Sequence, residues 1–114
     1  MKVKVKYCID DGYINMRSNL IDKDIDLLEL LASDISSKDN IERFNHCIFE
    51  DNDVWCSNLS EVKSINNKIV MLSSAFSLDN NIVPSVNIDS DILKKIIHDW
   101  KNFLKNKKEF SKIY

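Results

Sequence analysis

The residues of this chain whose types could support chemistry are concentrated between positions 46 and 56. His46, Cys47, Asp51, Asp53 and Cys56 could bind a metal ion, or Cys47 could act as a nucleophile with a histidine base. Zinc sites normally use closely spaced pairs of ligands, whereas Cys47 and Cys56 stand far apart in sequence. The residues around His46 and Cys47 favour a strand, in which these neighbours would point to opposite faces. We therefore predict no metal site and no catalytic residue.

Two acidic pairs offer a second kind of chemistry. Asp10 with Asp11, and Asp51 with Asp53, could hold magnesium in a metal-dependent hydrolase. Both pairs lie in predicted turns, where aspartate commonly accepts hydrogen bonds from its own backbone. The turn interpretation is preferred, and a small hydrolase using Asp51, Asp53 and His46 is kept as the alternative.

Glycine is almost absent, and this excludes several classes of site. The only glycine in the chain is Gly12. Phosphate-binding loops, dinucleotide-binding loops and nucleophile elbows require glycine where the backbone approaches a ligand or takes a positive φ. We therefore expect no nucleotide cofactor and, more generally, no enzyme.

Length and composition predict one domain over residues 1–114. The chain is 44% hydrophobic and 30% charged, which is typical of a globular domain. Its three cysteines form no CxxC motif, and its first residues contain no apolar signal region. No apolar run is long enough to span a membrane. We expect a cytoplasmic protein, and its net charge of −2 argues against a general nucleic-acid partner.

The N-terminal half predicts a hairpin followed by a helix. Val3, Val5 and Tyr7 alternate with lysines, as in a half-buried strand, and Asp11-Gly12 predicts the turn into a second strand. The lysines are expected to keep the strand solvated or to guard a sheet edge. Apolar residues at helical spacing predict a helix over 22–36, with three aspartates in its first turns.

The C-terminal half predicts a sheet followed by a helix. The β-prone residues of 41–74 favour strands, with turns at 50–53, at 66–67 and at 79–81. Pro84 predicts an edge strand or an extended link. A wide apolar stripe over 89–106 predicts a helix capped by Asp89, with Trp100 in the core. The predicted fold class is α+β, a mainly antiparallel sheet with two helices packed on it.

The chain as a whole resembles the small bacterial immunity proteins of contact-dependent growth-inhibition systems. The resemblance lies in the short acidic α+β pattern rich in Asn, Ile, Lys and Ser, in the acidic turns at 10–11 and 50–53, and in the closing helix DILKKIIHDW at 91–100. It implies a protein that binds and neutralises the C-terminal nuclease domain of a cognate toxin. A structural or adaptor domain that associates through a sheet edge is a further alternative.

The resemblance also suggests which residues contact the partner. A nuclease carries a basic cleft, which clustered carboxylates can fill, and an aromatic residue can anchor the contact. Trp55, beside the acidic turn, is the candidate anchor, although a core position is the competing interpretation. The predicted partner-binding residues are Asp10, Asp11, Asp24, Glu29, Glu50, Asp51, Asp53 and Trp55.

Overall fold

The computed structural model describes residues 2–78 and 81–114, so the turn predicted at 79–81 lies mostly outside the described residues. The strands are β1 (Lys4–Asp10), β2 (Tyr13–Ser18), β3 (Ile21–Asp22), β4 (Ile25–Asp26), β5 (Val54–Cys56), β6 (Ser60–Ser64), β7 (Ile69–Ser74), β8 (Ser85–Asp89) and β9 (Phe110–Ile113). The helices are α1 (Leu27–Asp34), α2 (Lys38–Asn45) and α3 (Ser90–Asn106), and a π-helical turn (His46–Glu50) extends α2. All paired strands are antiparallel, which confirms the predicted α+β class.

A three-stranded sheet has the order β2-β1-β9. The predicted hairpin is confirmed, because Asp10 pairs with Tyr13 and the two residues between them, Asp11 and Gly12, have φ values of 48° and 84°. Since β9 pairs with the other side of β1, the lysine-bearing strand is central. The prediction that its lysines guard a sheet edge is therefore wrong.

The first helix begins later than the predicted 22–36. β3 and β4 form a tight hairpin whose turn residues, Lys23 and Asp24, have φ values of 52° and 63°. The Asp26 carboxylate then caps α1, accepting two backbone N–H groups at 3.1 Å each. Asp22 instead accepts the backbone N–H of Ser85 at 3.0 Å and so joins β3 to β8.

The segment 41–49, predicted as strand, is helical, so the described residues form three α-helices where two were expected. Ser37 caps α2 with its hydroxyl, and Ile41, Phe44 and Ile48 are buried along one side of α2 and the π-helical turn. Their spacing of three and then four residues is the helical period. The sequence-based prediction gave more weight to the β propensity of the individual residues than to this helical period. In the structure, packing of the apolar stripe against the core favours the helix despite that propensity.

A four-stranded sheet has the order β5-β6-β7-β8. Its inner face buries Val62, Val70, Leu72 and Ile88, as the alternation along each strand requires. The predicted turn at 66–67 is confirmed between β6 and β7. The predicted extended link at Pro84 is also confirmed, since this buried residue leads directly into β8.

The helices pack on both sheets. α1 contacts β2 as well as β6 and β7, and α3 contacts β7 and β8. Asp89 caps α3 as predicted. Trp100 is fully buried, as predicted, and its Nε1 donates to the Ile35 carbonyl at 2.8 Å. The buried apolar residues form one cluster. Among the described residues, no helix is both long and apolar enough to cross a membrane.

Two tyrosines fasten β9 and the residue after it to the core. The Tyr7 ring stacks on Phe110 with 4.3 Å between ring centroids. The Tyr114 hydroxyl donates to Asp99 Oδ2 at 2.5 Å and contacts the Tyr7 hydroxyl. Burial raises the pKa of both tyrosines, and the hydrogen bond to Asp99 raises the pKa of Tyr114 further. Folding therefore favours the protonated form of both tyrosine hydroxyl groups.

We expect the free energy of unfolding to fall as the pH rises above about 10, the ordinary pKa of tyrosine. Both tyrosine pKa values are raised on folding. Above this pH the unfolded chain therefore binds fewer protons than the folded chain, and ionisation favours unfolding. Denaturant titrations of the parent and of Tyr114→Phe, from neutral pH to about pH 11, measure this effect.

The Tyr114→Phe variant should lose about 1 kcal/mol at neutral pH, because its hydrogen bond to Asp99 is gone. Its stability should then fall less steeply above pH 10, because one tyrosine no longer titrates. A decline as steep as that of the parent chain would contradict the role given to Tyr114.

Candidate functional site

The acidic turn at 50–53 follows directly from the way α2 ends. The π-helical turn closes when the Asp51 N–H donates to the His46 carbonyl at 2.9 Å, and the Asp53 N–H donates to the Cys47 carbonyl at 2.9 Å. Asn52 has a φ of 51° and turns the chain into β5. The carboxylates are thus presented on a tight connection between a helix and a short strand.

His46 lies between two of these carboxylates. Its Nδ1 contacts Glu50, and its Nε2 lies 3.4 Å from Asp51 Oδ2. All three side chains are exposed, with 67% exposure for Glu50 and 56% for Asp51. Exposed ion pairs of this kind contribute little to stability. The arrangement therefore leaves the carboxylates accessible to a partner.

The Cys47 thiol is separated from the His46 ring, though not for the reason expected from the sequence. The two residues lie on a helical turn rather than on a strand. The Cys47 Sγ donates to the Val54 carbonyl at 3.3 Å, while the His46 ring contacts Glu50 and Asp51. Burial, followed by the negative charges of Asp53 and Asp51, raises the pKa of the Cys47 thiol. Its reactive thiolate form is therefore disfavoured.

The described residues contain no group of three His, Cys, Asp or Glu side chains placed to hold a metal ion. The Asp53 carboxylate accepts the N–H of the following residue, Val54, at 2.8 Å. This local bond is the kind expected of aspartate in a turn.

Trp55 is half-buried and faces the core. Its ring packs edge-to-face on Phe44, with 5.6 Å between centroids, and its Nε1 donates to Ser57 Oγ at 3.2 Å. Because side chains alternate along a strand, the neighbouring Val54 faces outward and is 39% exposed. The apolar residue available beside the acidic turn is therefore Val54, which the sequence-based analysis did not select.

A second exposed apolar residue lies at the same end of the sheet. Val54 pairs with Lys63, and the Ser64 hydroxyl donates to Asn52 Oδ1 at 3.3 Å. Ile65, the next residue after Ser64, is 49% exposed. The side chains of Glu50, Asp51, Asp53, Val54 and Ile65 form what we call the acidic end. Apolar groups beside polar, charged ones are the usual composition of a protein interface.

On one side the acidic end borders a groove of about 310 Å³ between the π-helical turn and α3. Glu50, Lys94 and His98 contribute to its lining. The Lys94 ammonium also lies 5.3 Å from the centroid of the Phe49 ring, a cation–π contact. The positive charge of Lys94 limits the acidic surface in this direction.

Asp10 and Asp11 occupy a different place, the tip of the β1–β2 hairpin. The Asp10 carboxylate forms an ion pair with Arg17 at 2.7 Å and lies 3.5 Å from the Cys8 thiol. Asp11 is exposed in the turn itself. The charge of Asp10 is therefore largely compensated, and Asp11 is the freer of the two carboxylates.

Asp24 and Glu29 form a third group. Asp24 is exposed at the β3–β4 turn, and Glu29 is half-buried in the first turn of α1. β3 contacts β8, whereas β5 lies at the opposite edge of the four-stranded sheet. The eight predicted residues thus fall on three separate parts of the fold, and the largest group, at the π-helical turn and the start of β5, consists of Glu50, Asp51, Asp53 and Trp55.

The Asp34 carboxylate holds β5 and β6 in place from the end of α1. Its Oδ2 accepts the Ser57 hydroxyl at 2.6 Å, the N–H groups of Leu59 and Ser60 at 2.9 and 3.0 Å, and the Ser60 hydroxyl at 3.0 Å. Because these residues form the turn between β5 and β6, Asp34 positions the strand that carries Val54.

Comparison of the chain with protein-family models, with curated proteins and with solved structures finds no match.

We predict that Asp34→Asn lowers the free energy of unfolding by about 2–3 kcal/mol, because several hydrogen bonds to a charged acceptor are weakened together. Urea denaturation monitored by circular dichroism measures the change. Asp39→Asn, at an exposed position in the first turn of α2, is the matched control and should cost about 0.5 kcal/mol. Equal losses in the two variants would show that the Asp34 cluster has no special role.

Proposed function

We propose that this chain is an immunity-type inhibitor that binds a cognate toxin domain through the acidic end and neutralises it. The observation that carries the proposal is the set of exposed carboxylates in the turn at 50–53, with two exposed apolar side chains, Val54 and Ile65, at the same end of the sheet. The toxin domain that fits this chemistry is one with a basic cleft, such as a nuclease.

Each part of the acidic end has a separate task in this proposal. The carboxylates at 50, 51 and 53 attract the basic cleft and raise the association rate. Val54 and Ile65 lose water on contact, and burial of such central apolar groups mainly slows dissociation. Trp55 supports Val54 from beneath through its packing on Phe44 rather than serving as an exposed anchor.

The remaining acidic candidates have secondary positions in the proposal. Asp10 and Asp11 lie at the tip of the β1–β2 hairpin, Asp24 lies in the turn after β3, which contacts β8, and Glu29 lies in the first turn of α1. A toxin large enough to reach several of these groups would gain further electrostatic attraction from them. Their separation makes it possible to test each group by itself.

A metal-dependent hydrolase that uses His46, Asp51 and Asp53 is the competing proposal. The observation that favours it is the contact between His46 Nε2 and Asp51, and the observation against it is that no third metal-ligating side chain joins them among the described residues. The two proposals separate in one measurement, because a hydrolase would be inactivated by His46→Ala, whereas an inhibitor would keep its partner. An adaptor domain would instead associate with other chains through the edge strand β5 or β9.

The first experiment is affinity capture of the tagged chain from its native host at low and at high salt, with mass spectrometry of the bound proteins. We expect one toxin domain in equimolar amount, partly released at high salt because exposed charges are screened. The purified domain is then assayed for nuclease activity with and without the chain. Failure to inhibit a captured domain would overturn the proposal.

We predict that the triple variant Glu50→Lys, Asp51→Lys, Asp53→Lys weakens toxin binding by roughly 100-fold, mostly through slower association at low salt. Surface plasmon resonance gives both rate constants. The control Asp39→Lys, Glu42→Lys reverses exposed acids on α2 and should change affinity by only about threefold. The triple variant changes the net charge by +6 and the control by +4, so a control effect of about two thirds of the triple variant's, in logarithm of affinity, would reduce the interaction to net charge alone.

We predict that Val54→Ser with Ile65→Ser raises the dissociation rate by roughly 30-fold and leaves the association rate almost unchanged. The control is Ile113→Ser, an exposed apolar residue on the three-stranded sheet. A normal dissociation rate in the double variant would place the toxin contact elsewhere on the chain.

A further inference from the structure

The outer face of the three-stranded sheet collects positive charge from neighbouring strands. Lys4 and Lys6 project from β1 on the side opposite the buried Val5 and Tyr7. Arg17 of β2 lies directly opposite Lys6. Because β1 is paired on both sides, these cations do not protect an unpaired edge. Solvation of the strand accounts for exposed lysines one by one, and a cluster of cations on one face also suits an anionic partner.

A shallow depression of about 470 Å³ crosses this face. Lys4, Lys6, Arg17 and Ser111 contribute to its lining, so three cations and a hydroxyl donor surround one space. Arg17 pairs with Asp10, whereas Lys4 and Lys6 form no ion pair with any residue of 2–78 or 81–114. A ligand with several negative charges would relieve the repulsion among these cations.

An aromatic ring stands on the same face. Tyr13 and Arg17 are four positions apart along β2, an even step, so both side chains project to the same side. The two positions are about 13 Å apart at the rise of a β-strand. Tyr13 is 77% exposed, which is high for a large ring in a strand. A flat surface with cations and an exposed aromatic ring can contact both phosphates and bases.

We propose that this basic sheet face, defined by Lys4, Lys6, Arg17 and Tyr13, binds single-stranded nucleic acid. Lys4 and Lys6, which form no ion pair with a described residue, contact the phosphate backbone, and a base stacks on the Tyr13 ring. Arg17 borders the contact and is paired with Asp10. The proposal is independent of the toxin-binding proposal, because the acidic end lies on the other sheet and uses different residues.

The exposed Tyr13 ring favours a single strand over two other anionic partners, a duplex and an acidic protein. A duplex keeps its bases stacked within the helix, whereas a single strand exposes a base that can stack on Tyr13. An acidic protein would use the cations but would gain no base stacking from the ring. The sequence-based expectation of no nucleic-acid partner rested on the net charge, whereas the fold places Arg17 directly opposite Lys6 and leaves Tyr13 exposed on the same face.

The test measures fluorescence anisotropy of a labelled 12-nucleotide single-stranded RNA, and of the DNA of the same sequence, with the full chain. We expect micromolar binding at low salt that weakens as salt is added, because phosphate contacts release counterions. Lys4→Glu with Lys6→Glu should weaken binding by at least tenfold, and Tyr13→Ala by roughly fivefold or more. Tyr13→Phe should keep the affinity, since the ring is retained.

The matched control is Lys95→Glu with Lys101→Glu, which makes the same change in net charge on exposed positions of α3. We expect it to change RNA binding by less than twofold, and thermal melts confirm that each variant is folded. Absence of binding at low salt, or equal loss in the control, would overturn the proposal. Binding of polyglutamate that competes with RNA, together with a silent Tyr13→Ala variant, would assign the face to an acidic protein and would also overturn it.

Discussion

The Asp34 carboxylate is the constraint on which the arrangement of the acidic end depends. β5 has only three residues and pairs with a single neighbour, so it has little stability of its own. One oxygen of Asp34 accepts hydrogen bonds from the turn that joins β5 to β6 and thereby ties that turn to α1. The Trp55–Phe44 contact fixes the same strand from the side of α2. The outward direction of Val54 follows from these two restraints together.

The net charge of −2 conceals an uneven distribution of charge. Carboxylates dominate the end of the four-stranded sheet next to β5, and cations dominate the outer face of the three-stranded sheet. Charges on exposed surfaces act over about 8 Å at physiological salt, so a partner experiences the surface nearest to it rather than the molecular average. The same chain can therefore present opposite electrostatic character to two different partners. Overall composition therefore does not describe the charge of the individual faces.

Local signals in the sequence predicted turns and helix caps, but they did not predict contacts between residues that are distant in sequence. The Asp11-Gly12 hairpin and the capped helix at the C-terminal end were predictable because turn chemistry and helical periodicity act within a few residues. The helix at 38–45 was missed because β-prone residues obscured a short helical period. The hydrogen bonds of Asp34 join residues more than 20 positions apart, and no local pattern marks them. Whether Val54 or Trp55 faces outward also depended on packing against α2.

Because the chain has only one glycine, aspartate occupies some turn positions with positive φ. Acidic residues at such positions can be distinguished from acidic residues at positions with ordinary φ. Asp11 and Asp24 have φ values of 48° and 63°, a region that aspartate tolerates better than most residues. The turns therefore explain why aspartate occurs at positions 11 and 24 in a chain with one glycine. Asp51, by contrast, has a φ of −89°, and among the described residues its carboxylate and that of Glu50 contact only an exposed histidine. Backbone geometry gives no reason for acids at these two positions, and so they are the stronger candidates for recognition of a partner.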